Sequence, residues 1–332
     1  MKPFGFNVVS ENREEGVPVA TAGQIMVDIQ NLLTDIGKCM LRTEMSLQNS
    51  IPDSLADKFT LRIGGSSDKG VGSKVSDGSE ELFEEALGML FKTLTFFGQG
   101  RVGIWMEDKF PDPFERINIA KDLVALNDHL SGTVLIFGPA SDKREFRRLD
   151  REKLLQYVRN GAERCRVIGK VSADPRFKGH WTFSNSAYQA TISPSKMMPK
   201  ETLDNAAKSG IVAVLGNISK SVDGRVVSVN NAEECIEHST IAFRRMISSK
   251  RDVRLSATLY ADIGYAADRK LWVMSYKPLN IIVSKPSWDE CVIAFHEEFI
   301  LQYEIYTEES KTFEGEEKKA QALLMTFVPP KI

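Results

Sequence analysis

Apolar residues recur along this chain in two periods, and their distribution predicts a mixed α and β protein. Thr21 followed by Gln24 has the form of a capping box, and Ile25, Ile29, Leu32, Leu33, Ile36 and Met40 then follow at helical spacing. Phe59, Leu61 and Ile63 alternate with Thr60 and Arg62, the pattern of a half-buried strand, and run into a Gly/Ser/Asp/Lys loop that ends near residue 78. Asp77 and Glu80 open a second helix with Phe83, Leu87, Leu90, Phe91 and Leu94 on one face. Residues 101–105 read as a short strand, 113–130 as a helix and 133–137 as a buried strand stopped by Gly138-Pro139. These elements predict an α+β domain over residues 1–140.

A highly charged stretch, 143–159, reads as helix and makes 141–164 a helical connector. Strand patterns follow at 165–171 and 181–184, and two prolines within 193–199 discourage a helix there. Residues 211–218 and 226–229 flank Asp223-Gly224, which predicts an antiparallel hairpin. Asn231 and Glu234 open what reads as a helix, with Ile236, Phe243 and Ile247 inward. Val253, Leu255, Ala257 and Leu259 alternate with polar residues, and 271–276 and 280–283 are similar. Ser287 with Glu290 forms another capping box, 299–306 fits helix or strand equally, and 322–328 reads as a last strand before Pro329-Pro330. The expectation for 165–332 is a β-rich domain, an antiparallel sheet or partly open barrel with inserted helices.

Composition narrows the class. A length of 332 residues, 42% hydrophobic and 27% charged, is that of an ordinary globular chain of two domains, not a disordered or disulfide-scaffold one. No run of about eighteen apolar residues occurs, and the first twelve residues lack the apolar core of a secretory signal. Cys39, Cys165, Cys235 and Cys291 are far apart and form no C-x-x-C pair, which suits a reducing compartment. A cytoplasmic location without a membrane partner is therefore expected. The net charge of −2 conceals an uneven distribution: residues 121–254 hold 23 basic and 15 acidic side chains, between two acidic flanks.

Candidate chemistry is sparse. The glycine-rich stretch 64–74 lacks Gly-Lys-Ser/Thr and stands too far from the next helix to cradle a phosphate. Cys235 with His238 and Cys291 with His296 have a spacing zinc accepts, but apolar neighbours mark those cysteines as core. Asp262 with Asp268-Arg269-Lys270 approximates a nuclease pattern and reads better as a charged turn. No G-x-S-x-G elbow is present, and His129, His180, His238 and His296 lack local partners. No metal or cofactor is expected.

The basic middle stands out. Arg144, Arg147, Arg148 and Arg151 recur at i, i+3, i+4 and i+7, and Lys143, Lys153, Arg159, Arg164, Arg166 and Lys170 extend the charge. On a helix they form a cationic stripe able to follow a nucleic-acid backbone, with Phe146, Trp181 and Phe183 as stacking partners. Three readings follow. The first is a non-catalytic binding or scaffold protein acting through protein contacts, including contacts with its own copies. The second is a nucleic-acid binder using residues 143–170, and the third an enzyme, such as a metal-dependent nuclease, whose site assembles from distant residues.

Overall fold

In the computed structural model, the structure describes residues 4–12, 15–47, 51–61, 80–99, 102–110, 113–139, 141–152, 155, 163–184, 189–220, 226–266, 268–307 and 312–328. The chain has the expected α+β composition and divides into two compact units, Met1–Met40 with Pro52–Asn160, and Leu41–Ile51 with Gly161–Ile332. Among the described residues no helix is long and apolar enough to cross a membrane.

The first unit is built on an antiparallel sheet of β1 (Phe4–Ser10), β2 (Thr133–Pro139) and β3 (Arg144–Arg147), in that order. Alternation buries Phe6, Leu135, Phe137 and Phe146 on one face. Helix α3 (Glu80–Gly98) covers that face, with Phe91 against Phe4 and Phe137 and Phe97 stacked 5.5 Å from Phe146. Around it lie α1 (Val19–Met45) as far as Met40, the short α2 (Asp53–Ala56), α4 (Val102–Lys109) and α5 (Pro113–His129).

Several expectations are corrected here. Residues 144–147 form a strand, not a helix, because Phe146 is needed opposite Leu135 in the sheet core. Residues 59–61 form no strand: Gln30 takes the Phe59 carbonyl at 3.0 Å and the Leu61 amide at 2.6 Å, the groups a strand would offer a neighbour. Of the stretch 101–105 expected as strand, Arg101 lies outside the described residues and 102–105 enter α4, whose Met106 is buried with Phe110 one turn on and whose Trp105 stacks on Phe96 and donates to Thr93 at 3.0 Å. Thr21 lies inside the first turn of α1 instead of capping it, and Gln24 donates to Asp28.

In the second unit, β4 (Glu163–Ala173), β5 (Trp181–Ser184), β6 (Gln189–Pro194), β7 (Ile211–Lys220) and β8 (Val226–His238) form a closed barrel in the order β4-β5-β6-β8-β7. Every pair is antiparallel except β6 with β8, and α6 (Lys200–Ala206) connects the third strand to the fourth. A meander, a helix and a hairpin whose last strand runs parallel to the third constitute the five-stranded Greek-key connectivity of the OB-fold. Closure depends on β4, which pairs with β7 up to Gly169 and with β5 from Lys170. At Gly169 a Cβ would stand 2.5 Å from the Ser184 carbonyl oxygen and 2.6 Å from the Phe183 ring, so only glycine lets the strand turn here.

The β7–β8 hairpin forms as its sequence indicates, but β8 continues as strand through the region read as a helix from Asn231. A register shift opposite Gly216 places Asn231 at φ 53° and offsets the alternation, and the displaced apolar positions imitate helical spacing. Beyond the barrel, β9 (Thr240–Ile247), β10 (Asp252–Ala266), β11 (Leu271–Tyr276) and β12 (Ile281–Lys285) make an antiparallel meander. Helix α7 (Trp288–Thr307) lays Val292, Phe295 and Phe299 into its core. It opens with the expected reciprocal box, Glu290 N–H to Ser287 Oγ at 3.2 Å and Ser287 N–H to Glu290 Oε2 at 3.3 Å. Residues 322–327, expected as strand, end α8 (Gly315–Phe327), because Leu324 and Phe327 fill the core at helical spacing.

Candidate functional site

The loop from β4 to β5, residues 174–180, is held by its own polar groups. Asp174 N–H donates to the His180 carbonyl at 2.9 Å, and Asp174 Oδ1 accepts the Arg176 amide at 2.8 Å and its guanidinium at 3.4 Å. The Arg176 amide first, and its guanidinium after it, hold the Asp174 carboxyl below the usual range. The loop thereby presents Phe177, 58% exposed, with the Arg176 guanidinium 5.9 Å over its ring and His180 edge-on at 5.9 Å. Lys178 and Gly179, at φ 83°, complete the turn.

Beside the loop, the barrel's outer face is polar and small. Strand alternation buries Trp181, Phe183, Ala190 and Ile192 and turns Thr182, Ser184, Gln189, Thr191 and Ser193 outward. Asn230 continues this surface onto β8, donating to Ser228 at 2.8 Å and to Ser219 at 3.0 Å. Hydroxyl and amide groups of this kind can bond sugars and base edges without blocking a flat ligand.

On the same outer face of β4, Lys170 borders a cleft of about 380 Å³ where the barrel meets β10 and β11. Its Nζ lies 4.2 Å over the Tyr265 ring, Tyr265 leans on Trp272 at 4.7 Å, and Trp272 meets Trp288 edge-on at 5.7 Å. Lys208, Ser209, Glu237 and His238 line the rest.

The basic residues singled out in the sequence divide between the two units. Lys143, Arg144, Arg147, Arg148 and Arg151 belong to the first unit. There the helical stripe is absent: Arg144 and Arg147 lie on opposite faces of β3. Arg144 pairs with Asp142 at 3.1 Å and covers Phe91, Arg147 pairs with Glu145 at 2.7 Å, and Arg151 with Asp128 at 3.0 Å. Lys153 and Arg159, like the glycine-rich stretch 64–74, lie outside the described residues. Arg164 and Arg166 occupy β4 positions of the same parity as Lys170. The suggested stacking residues Phe146, Trp181 and Phe183 are buried, while Phe177 was overlooked.

The cysteine and histidine pairs separate as well. Cys235 and His238 stand an odd number of positions apart on β8 and so face opposite ways. Cys291 donates to the Trp272 carbonyl, and buried His296 accepts the Ile247 amide on Nδ1 at 3.0 Å. Among the described residues no three of His, Cys, Asp and Glu are placed to hold a metal ion. Asp268 pairs with Arg269 in the turn between β10 and β11. Arg245 is buried in β9 and paired with Asp252 at 3.3 Å.

Sequence reasoning also missed a polar seam between α1 and α5. His129 Nδ1 meets Asp28 Oδ2 at 2.6 Å, Asp122 is hydrogen-bonded to Asp35, and the Cys39 thiol donates to Glu115 Oε2 at 2.6 Å. The available signal was spacing: Asp28 and Asp35, and likewise Glu115, Asp122 and His129, stand seven apart and share a helix face. Burial, then Asp35, then Asp28 push the Asp122 carboxyl up to about 7, with Lys38 acting in the opposite direction.

No family model, curated protein or solved structure matches this chain.

Proposed function

We propose that the protein binds single-stranded nucleic acid on the outer face of β5 and β6, with loop 174–180 as the anchoring element. The observation that carries this reading is Phe177, an exposed aromatic set between two basic groups on the loop that joins the barrel's first two strands. In OB-folds the face of the second and third strands, with that loop, is where oligonucleotides and oligosaccharides bind. The architecture supplies an analogy, and the loop supplies the chemistry. An exposed ring stacks on any unpaired base, Arg176 and Lys178 meet phosphates, and the hydroxyls of Thr182, Ser184, Thr191 and Ser193 bond sugars and base edges. This reading takes the place of the one through protein contacts, which rested on the lack of chemical motifs.

The test is fluorescence anisotropy with labelled DNA and RNA single strands of about 15 nucleotides bearing 5′-hydroxyl ends, near the upper span of one such barrel. Affinity that falls steeply with salt, and falls about tenfold or more in Phe177→Ala, supports the reading. The absence of salt-dependent binding, or full affinity in Phe177→Ala combined with Arg176→Glu and Lys178→Glu, overturns it.

A further inference from the structure

We infer that the cleft bordered by Lys170, Tyr265 and Trp272 binds one nucleoside monophosphate, as a free nucleotide or as the phosphorylated end of a strand. Its volume of about 380 Å³ falls in the lower part of the range of small-molecule sites, roughly 300–1,000 Å³, and suits one nucleotide.

The lining divides into groups for each part of such a ligand. Lys170 and Lys208 have no carboxylate within ion-pair distance among the described residues, unlike Arg144, Arg147, Arg151 and Arg176. The Lys170 ammonium is already in place, 4.2 Å over the Tyr265 ring, so little side-chain freedom is lost when it meets an anion. Trp272 is wedged between Tyr265 and Trp288 at 4.7 and 5.7 Å, which makes a rigid wall for a planar base. Ser209 and the Glu237 carboxylate offer partners for ribose hydroxyls or a base amino group.

Charge sets the number of phosphates. Two ammonium groups opposed by one carboxylate leave a net charge of +1, which comes within about one charge of a phosphomonoester at roughly −1.5 to −2 and falls far short of a triphosphate. The ligand therefore needs both a phosphate and a flat ring. Inorganic phosphate and an unphosphorylated nucleoside each satisfy half of the site.

The inference does not rest on the barrel reading, since the cleft lies off loop 174–180 and uses other residues. The test is calorimetric titration of the full-length chain with UMP and AMP at low salt, with quenching of tryptophan fluorescence as a second signal. Saturable binding is expected, weaker by about tenfold or more in Lys208→Glu and in Lys170→Met, roughly the worth of one charge-assisted contact. Lys208 is exposed, so its replacement leaves the fold intact. Uridine and inorganic phosphate, titrated separately, are each expected to bind more weakly than UMP.

No saturable binding of either nucleotide, or equal binding by the Lys170→Met, Lys208→Glu double variant, overturns the inference. In the Phe177→Ala background, preference for a 5′-phosphorylated strand over the same strand with a 5′-hydroxyl identifies a strand end as the source. Nucleotide binding without that preference identifies free nucleotide. Failure of the barrel reading appears separately, as failure of 5′-hydroxyl strands to bind the parent chain.

Discussion

Asp122 on α5 is hydrogen-bonded to Asp35 on α1, and burial together with this neighbour pushes the Asp122 carboxyl up to about 7. Below neutrality the Asp122 proton is a link between two helices, and above it that link is lost.

A pH dependence of stability follows. The native Asp122 carboxyl titrates at about 7 and the unfolded one at 3.8, so between these values the native chain holds more protons than the unfolded chain. Stability of the first unit therefore falls as pH rises from about 4 to about 7 and is level above that. After discounting for partial exposure the loss is on the order of 1–2 kcal/mol. Asp122→Asn should remove the decline, with its urea midpoint exceeding the parent's by more at pH 8 than at pH 5.

The second unit should respond in the opposite direction. His296 is fully enclosed, and burial lowers its imidazole to about 3, so the native ring remains neutral where the unfolded one takes up a proton at 6.5. Stability of this unit is lost as pH falls from about 6.5 toward 3. His296→Leu should abolish that slope and cost about 1–3 kcal/mol at pH 8, because the Ile247 amide loses its acceptor. Thermal unfolding of parent and variant across pH 4–8 tests both.

Barrel closure should depend on Gly169. Gly169→Val places a side chain against the Ser184 carbonyl and the Phe183 ring at the point where β4 changes partners. A loss of about 1–3 kcal/mol is expected, read as a lower unfolding temperature. Gly264→Val is the comparison, since nothing lies within 4 Å of its Cβ position.

Salt dependence distinguishes the two groups of basic residues. Reversal of Arg176 and Lys178 should flatten the log–log salt dependence of single-strand binding by about 1.4, the contribution of two phosphate contacts. Reversal of Arg144, Arg147 and Arg151 should leave the slope unchanged, because they belong to the first unit and not to the loop and barrel face proposed to hold the strand.

The sequence announced elements whose patterns are strictly local. The Ser287–Glu290 box, the β7–β8 hairpin, the alternating β10, the apolar face of α3 and the helix α5 all appear as read. It misled where a distant residue decides. Phe146 is in a strand because Leu135 needs a partner, residues 59–61 are taken out of strand pairing by Gln30, and the bulge at Asn231 gives β8 a false helical period. Of the predicted contacts, Arg147 lines a cavity beside its own sheet, whereas Lys170 enters its cleft only because folding brings it to Tyr265 and Trp272, some hundred residues onward. Phe177 carried a signal, an aromatic among Arg176, Lys178 and His180, but the longer run of arginines upstream outweighed it.

The second unit begins well before Gly161, since Leu41–Ile51 belongs to it and the Ser46 carbonyl accepts the Trp288 indole N–H at 2.8 Å, 242 positions later. A ribosome adding roughly 5–20 residues each second releases this early segment some 10–50 s before its partner exists. Over that interval Leu41, Met45, Leu47 and Ile51, all buried in the finished molecule, are exposed on a nascent chain. Biogenesis thus includes an obligatory wait, during which a chaperone or rapid compaction of the preceding residues keeps four apolar side chains from finding the wrong neighbour.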